Sequence, residues 1–333
     1  MAATDSLTIG LLGDVMLGRK VAERLVRDPN AELWSPPLRE LCRACDALVL
    51  NLECCVSAHG APTSLIPGKP FFFRAPPSGL EALRAVGTTV AGVANNHTLD
   101  FGPDALAETL VHLRAGGVPP VGAGLDAEGA RRGVVVRAGG ARLGVLAVSD
   151  HPAEYASSAT RPGIAHAELR RGLPDWITAE LARLSSEADY VLAFPHWGPN
   201  MSPAPADWQR TRARELLAAG ADAVAGHSAH VFHGIELNAR GPALYDLGDA
   251  LDDYAIDPEL RNDLGVLALW RPAGPLELVG LHLDFCRTEL ADGGDADWIA
   301  ARLERACGEL GTSVRRLDEA RFAIGPANVC SPP

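Results

Sequence analysis

The sequence predicts an α/β protein built around a mainly parallel sheet. Three observations carry this. Short apolar runs alternate with segments of helical periodicity through residues 7–225. The apolar runs end in polar, ligand-type residues. From 231 to 285 the pattern turns to closely spaced short strands without long helices. Strand–helix alternation implies βαβ units, and close strand spacing implies an antiparallel portion.

Leu7–Leu12 is an apolar run that ends at Gly13-Asp14. This is the look of a buried strand carrying a functional residue at its carboxyl end. A helical pattern over 18–27 follows, then a second buried run, Ala47–Leu52, ending at Glu53. Residues 56–77 are rich in Pro, Gly and Ser and read as a long loop. A helix at about 78–86 leads to a third run, Thr89–Ala94, which ends at Asn95-Asn96-His97. Another helix covers 103–115. Strands at 133–138 and 142–148 are joined by Gly139-Gly140, a hairpin signal, and the second ends at Asp150-His151. A helix over 173–187 precedes Tyr190–Phe194, which runs into Pro195-His196-Trp197. The helix 206–219 precedes Ala221–Ala225, which runs into Gly226-His227-Ser228-Ala229-His230. A last helix spans about 295–310. No repeat or inter-domain linker interrupts the 333 residues, so we expect a single domain over 1–333. Its core would lie at about 7–285, with a C-terminal helix and tail at 286–333.

Composition narrows the function classes. Lys plus Arg is 30 against 42 Asp plus Glu, a net charge of −12, which argues against nucleic acid or an anionic membrane as a partner. No apolar stretch is long enough to span a bilayer. The first residues, Met-Ala-Ala-Thr-Asp-Ser, lack a basic region followed by an apolar one, so no secretory signal is expected. Seven cysteines, an odd number in a long chain, suit a reduced, cytoplasmic protein. Cys42 and Cys45 have the spacing of a redox or zinc pair but no matching second pair. They read as residues on the inner side of a helix.

The chemistry gathers at the strand ends: Asp14, Glu53, Asn96 with His97, His196, and His227 with His230. In open α/β sheets, ligands collect beyond the carboxyl ends of the strands. Carboxylate and amide oxygens with imidazole nitrogens suit a divalent metal.

Gly13-Asp14-Val15-Met16-Leu17-Gly18-Arg19, Asn51-Leu52-Glu53, Asn95 to Gly102, His196-Trp197-Gly198, His227-Ser228-Ala229-His230 and Tyr245 to Asp249 resemble the poly-γ-glutamate capsule-synthesis (CapA-like) family over residues 7–285. That family is similar in turn to calcineurin-like metallophosphoesterases. The resemblance implies a four-layer αββα sandwich. It also implies a metal centre with Glu53, Asn96, His196 and His227 as ligands and Asp14 beside them. Two departures fall on the second of the two metal sites found in such phosphoesterases. Met16 stands where a histidine is expected, and two residues rather than one separate His227 from His230. One divalent ion is therefore expected rather than a two-metal clamp.

Capsule-synthesis members are commonly anchored or exported, which the expected cytoplasmic location does not match. Some soluble relatives of the fold are epimerases acting on the precursor of a lasso peptide. This leads to the expectation of a metal-dependent peptide epimerase, inverting a Cα centre near the C-terminus of a precursor peptide by two-base chemistry. The alternatives are a metallophosphoesterase or capsule-type amide-processing enzyme, and a non-catalytic peptide-binding protein.

The proton carriers expected are His97 with Asp100, His230 with Asp249, and His151 with Asp150. His97 reads equally as a residue that orients a ligand, His230 as a plain metal ligand, and His151 as a loop residue. If histidines carry protons, the metal is left with oxygens, which favours Ca, Mg or Mn; if His196 and His227 are ligands, Mn, Zn or Fe fit. Arg19 reads as a bidentate carboxylate binder or a solvated helix residue. Trp197 is the expected contact for an apolar or aromatic substrate group. Phe71-Phe72-Phe73 reads as packing beneath the long loop or as an apolar wall. No organic cofactor is expected.

Overall fold

The computed structural model describes residues 7–326. The N-terminal residues 1–6, read above for targeting signals, and Cys330 lie outside the described residues. Two main sheets face each other, with helices on both outer faces. The larger sheet has the order Thr312–Arg316, Arg321–Pro326, Leu276–Leu283, Leu264–Trp270, Ile9–Val15, Ala47–Leu52, Val90–Gly92, Pro120–Val121. Asp249–Leu251 also pairs with Ile9–Val15, and Thr288–Leu290 with Leu276–Leu283. The smaller sheet has the order Ile235–Leu237, Pro242–Leu244, Ala223–Ala225, Tyr190–His196, Ala141–Ser149, Val134–Ala138.

Alternation along the strands builds three apolar layers. Ile9 and Leu11, Ala47 and Val49, Val145 and Ala147, and Leu192 and Phe194 fill the space between the sheets. Their neighbours point outward. Leu12, Leu48 and Leu50 meet the helices Arg19–Arg27, Pro36–Arg43, Leu80–Ala85 and Gly102–Ala115. Leu146, Val148, Val191 and Ala193 meet Asp175–Glu187 and Asp207–Ala218. Both outer layers are apolar on their inner faces, which is the four-layer αββα arrangement expected.

The hairpin at Gly139-Gly140 forms as expected: Val134–Ala138 pairs antiparallel with Ala141–Ser149, and Gly139 turns with φ +55°. The stretch after 285 holds more than the expected helix and tail. The helix Gly293–Gly308 packs Ile299 and Leu303 into the inter-sheet core. Thr312–Arg316 and Arg321–Pro326 extend the larger sheet, with Phe322 and Ile324 buried. These strands are short and separated by polar residues, so their alternation is weak in the sequence. The six described cysteines are free thiols. Cys42 closes the inner face of Pro36–Arg43, burial pushing its thiol up to about 12, while Cys45 lies past the helix end. No helix among the described residues is long and apolar enough to cross a membrane.

Candidate metal centre

The carboxyl ends of both sheets meet at one edge. Asp14 stands one residue before the end of Ile9–Val15, in register with Asn51 on one side and Asp249 on the other. Glycine makes the second pairing possible. A Cβ on Gly13 would fall 1.9 Å from Gly248 O, so the two strands approach only because that side chain is missing. Gly248 also adopts φ +72°. The two Gly-Asp pairs thus bring the Asp14 and Asp249 carboxylates side by side.

From the opposite sheet, Tyr190–His196 delivers His196 and the end of Ala223–Ala225 delivers His227, bridged in parallel at His196 and His227. Two convergent ligand groups result, Asp14 with His196 and His227, and Asp14 with His230 and Asp249. Asp14 belongs to both. His227 Nδ1 lies 3.3 Å from Asp14 Oδ1, His230 Nδ1 lies 3.5 Å from Asp14 Oδ2, and His230 Nδ1 lies 2.8 Å from Asp249 Oδ1.

The loop between the two histidines is held in an unusual shape. Ser228 has φ +118° and His230 φ +61°, each sparsely populated for a residue with a Cβ. Asp14 Oδ2 accepts from Ser228 N at 3.2 Å and Asp246 Oδ2 accepts from Ala229 N at 2.7 Å, and these bonds fix the turn. Asn51 Nδ2 donates to Asp14 Oδ1 at 2.6 Å, and Asn95 Nδ2 donates to Asn51 Oδ1 at 3.0 Å. Asn95 is therefore scaffolding, and its neighbour Asn96 presents the free amide.

The donor set fits a cation. Glu53 Oε1, Asn96 Oδ1, His196 Nε2, His227 Nε2 and Asp249 Oδ2 are buried without a hydrogen-bond partner. Five buried carboxyls, Asp14, Glu53, Asp246, Asp249 and Asp252, crowd the edge. Burial, and then the Asp14 charge, push Glu53 well above the usual carboxylate range and Asp246 up to about 7. Burial and Asp252 beside it raise Asp249 in the same way. Burial also opposes ionisation of Asp14, but the His227 hydrogen bond and the His227 and His230 charges outweigh it and hold its pKa low. A group of acids that cannot all ionise without a positive partner is what a metal site looks like before its ion is counted. Met16 is no ligand: its sulfur accepts from Gly18 N at 2.9 Å.

His97 sits beside this centre. Its Nδ1 lies 2.5 Å from Asp100 Oδ2, and its ring stacks on Phe73 with centroids 3.8 Å apart. Burial pushes its pKa down to about 4, against the Asp100 interaction, so the ring is neutral at pH 7. Asp100 also receives Lys69 Nζ at 2.9 Å, Phe73 N at 2.6 Å and Tyr155 OH at 3.2 Å. His151 pairs with Asp150, and its ring centroid lies 5.1 Å from that of His196. Asp150 in turn accepts from Gly198 N at 3.1 Å.

Asp14, His196, His227, His230 and Asp249 are thus brought together in two ligand groups, with His97–Asp100 and His151–Asp150 beside them; Glu53, an expected ligand, lies near Asp14 and His230 but in neither group. Trp197 corrects an expectation. Its indole is fully buried, donates to Tyr245 O at 2.9 Å and packs with Trp208 in the outer core. One residue past Tyr190–His196, it continues the alternation of Val191 and Ala193 into the outer core, so its side chain is not presented at the edge that His196 faces. Sequence reasoning misses Lys69, Asp252, Asp253 and Tyr254. Tyr254 OH donates to Glu53 Oε2 at 3.1 Å. The one signal for the last three is their position, directly after a strand that ends in Leu251. Lys69, inside a Pro-rich loop, gives none.

Residues 8–254 match the family described as bacterial capsule synthesis protein PGA_cap. The chain belongs to that family. A relative from Mycobacterium tuberculosis, called a "Probable polyglutamine synthesis accessory protein", is 31% identical over 98% of both chains. The PGA biosynthesis protein CapA of Bacillus subtilis is 27% identical over 75% of this chain and 64% of that one. Among solved structures, a hypothetical protein from Thermus thermophilus covers 85% of this chain and 96% of its own at TM-score 0.45 and 17% identity. The NAD nucleotidase NadN of Haemophilus influenzae covers 86% of this chain and 49% of its own at TM-score 0.40 and 10% identity. At that level neither substrate nor chemistry carries over to this PGA_cap chain.

Proposed function

We propose that this chain is a metal-dependent enzyme that processes amide bonds in a carboxylate-rich, glutamyl-type chain. The observation that carries this reading is a juxtaposition. Asp14 belongs to two ligand groups, with His196 and His227 and with His230 and Asp249; buried donor atoms beside them lack partners, and a neutral His97, locked in one tautomer by Asp100, stands at the same edge. Membership of the PGA_cap family, and a full-length relative named for polyglutamine synthesis, support the substrate class.

Asp14, His196 and His227, with Glu53 and Asn96 beside them, would hold a divalent ion. The mixed nitrogen and oxygen set suits Mn, Fe or Zn better than Ca or Mg. When bound, the ion supplies Lewis-acid polarisation of a substrate carbonyl and offsets the surplus of buried carboxylates. The chain's own residues do the rest. Asp100 accepts from His97 Nδ1–H, which leaves Nε2 with its lone pair to take a proton from the attacking group. As that proton arrives, Asp100 stabilises the imidazolium. Phe73 covers one face of the ring and keeps water from it. His151, backed by Asp150, is a second proton carrier on the His196 side.

A second reading, inversion of a Cα centre in a lasso-type precursor peptide, is favoured by one feature: two separate His–Asp pairs flank the centre, as two-base epimerisation requires. The test uses metal-reconstituted protein in heavy water, with an oligo-γ-glutamate and with a candidate precursor peptide. Amide processing changes chain length and retains hydrogen at Cα. Epimerisation leaves the length unchanged and places one deuterium at Cα. Metal and peptide binding with neither change would reduce the protein to a binding module and end both readings.

A further inference from the structure

Arg19 stands at the mouth of this edge in a built setting. It follows Gly18 with φ +48°, a left-handed conformation that a residue with a Cβ rarely takes. Asp253, itself buried, holds it in place: Lys20 N donates to Asp253 Oδ2 at 2.8 Å, and Arg19 Nε lies 3.2 Å from Asp253 Oδ1. The guanidinium lies over three rings, 5.5 Å from Phe71 and 5.8 Å from both Phe73 and Tyr254. Two of these rings belong to the centre. Phe73 stacks on His97, and Tyr254 bonds Glu53 and meets the His230 ring edge-on at 5.3 Å. Gly18 lets this happen, since a Cβ there would crowd the backbone of Phe73 and Arg74 at 3.0–3.1 Å.

Nearby cations are already spent. Lys69 is buried against Asp100 and the Asn96 carbonyl. Arg74 donates to the carbonyls of His59 and Gly60, and Arg24 to those of Cys286 and Glu32. Arg19 meets Asp253 as an ion pair at Nε without a hydrogen bond, and its side chain is 37% exposed. Its two terminal nitrogens meet no acceptor among the described residues. A guanidinium held near Asp253 by charge, lying over aromatic rings and with both terminal nitrogens open, is arranged to receive a carboxylate through two parallel bonds.

We propose that Arg19 is a specificity residue that clamps a free carboxylate of the substrate next to the scissile amide, with the exposed Phe71 ring covering the pair. This deepens, and rests on, the reading of the site as one for a glutamyl-type chain. It accounts for how a centre crowded with acids takes an anionic substrate: charge is met at the rim by a group already oriented.

The test measures binding by calorimetry to the full-length, metal-loaded protein. The probes are an oligo-γ-glutamate with free α-carboxylates and the same peptide with every α-carboxylate converted to carboxamide. Wild type should bind the acid form better than the amide form. Arg19→Met should lose about 10- to 100-fold for the acid form and little for the amide form. Arg19→Lys, which keeps the charge and loses the fork, should fall between them, and it stands in if the Met variant does not fold. Metal content should be unchanged in both. Equal affinity of wild type and Arg19→Met for the acid form, or equal losses for both probes, would overturn the clamp and leave the proposed function standing. Failure of wild type to bind either probe would overturn both.

Discussion

The Nδ1 atoms of His196 and His227 lie 2.8 Å apart, in a buried site where neither ring's Nε2 has a partner. Two imidazoles this close cannot both carry a proton on the facing nitrogen or both leave it bare without repulsion. Burial, and then the neighbouring His227, push His196 well below its ordinary pKa. An Nδ1–H of one ring donating to the bare Nδ1 of the other satisfies the facing pair, while both buried Nε2 atoms stay without a partner, as ligand atoms awaiting a cation do.

Asn51 is expected to matter as much as a ligand. It donates to Asp14 at 2.6 Å and is itself fixed by Asn95. Replacing the partner of a metal-ligating carboxylate typically weakens metal affinity roughly 10–100-fold. Asn51→Leu should show a loss of that size in a competitive chelator titration. Unchanged affinity would mean that Asp14 is not a ligand.

His97→Ala should reduce turnover by roughly 10²–10⁴-fold while metal content is retained. Asp100→Asn should also reduce it, by unfixing the tautomer. Loss of metal in His97→Ala without other damage would place the ring among the ligands instead.

Gly13 and Gly248 carry a prediction about how the site is assembled. Gly13→Ala would drive a Cβ to 1.9 Å from Gly248 O, against backbone that has nowhere to go. The strand Asp249–Leu251 should then separate from Ile9–Val15, and metal binding should fall together with the thermal midpoint. An Ala variant with native stability and native metal content would show that the close approach is not what sets Asp249 beside Asp14.

This feature also shows how far the sequence can be read. The strand-end residues Asp14, Glu53, Asn96, His196 and His227 are legible because each closes an apolar run, and parallel strands bring such ends to one edge. Asp249 is visible only through a family motif. Its pairing with Asp14 depends on a contact between two glycines far apart in sequence. The settings of Lys69 and Arg19 depend on the path of a Pro-rich loop, which no periodicity records. Trp197 is buried in the outer core rather than presented at the edge because adjacency to His196 does not mean a shared direction: the alternation of the strand carries on to the residue after its end.

Acid stability offers a test away from the centre. His233 is buried, donates from Nε2 to Ser202 O at 2.8 Å, and has Nδ1 unpaired. Burial lowers its pKa from 6.5 to about 4, with Arg302 adding to the effect. The folded chain therefore binds fewer protons than the unfolded one in that window. The stability is present above pH 6.5 and is lost as pH falls toward 4, by about 3 kcal/mol for this residue at about 1.36 kcal/mol per unit. Denaturation midpoints at about pH 7 and pH 4.5 should differ less in His233→Gln, which keeps a donor for Ser202. An equal pH dependence in the variant would remove His233 from the account.

The central claim is that Asp14, His196 and His227 hold a divalent ion. The most direct measurement is elemental analysis of protein reconstituted with Mn, Zn, Mg or Ca and then desalted, for wild type, Asp14→Asn and His227→Gln. The account predicts about one tightly held Mn or Zn per wild-type chain, little retained Mg or Ca, and loss of the ion in both variants. No retained metal in wild type, or full retention in both variants, would contradict it.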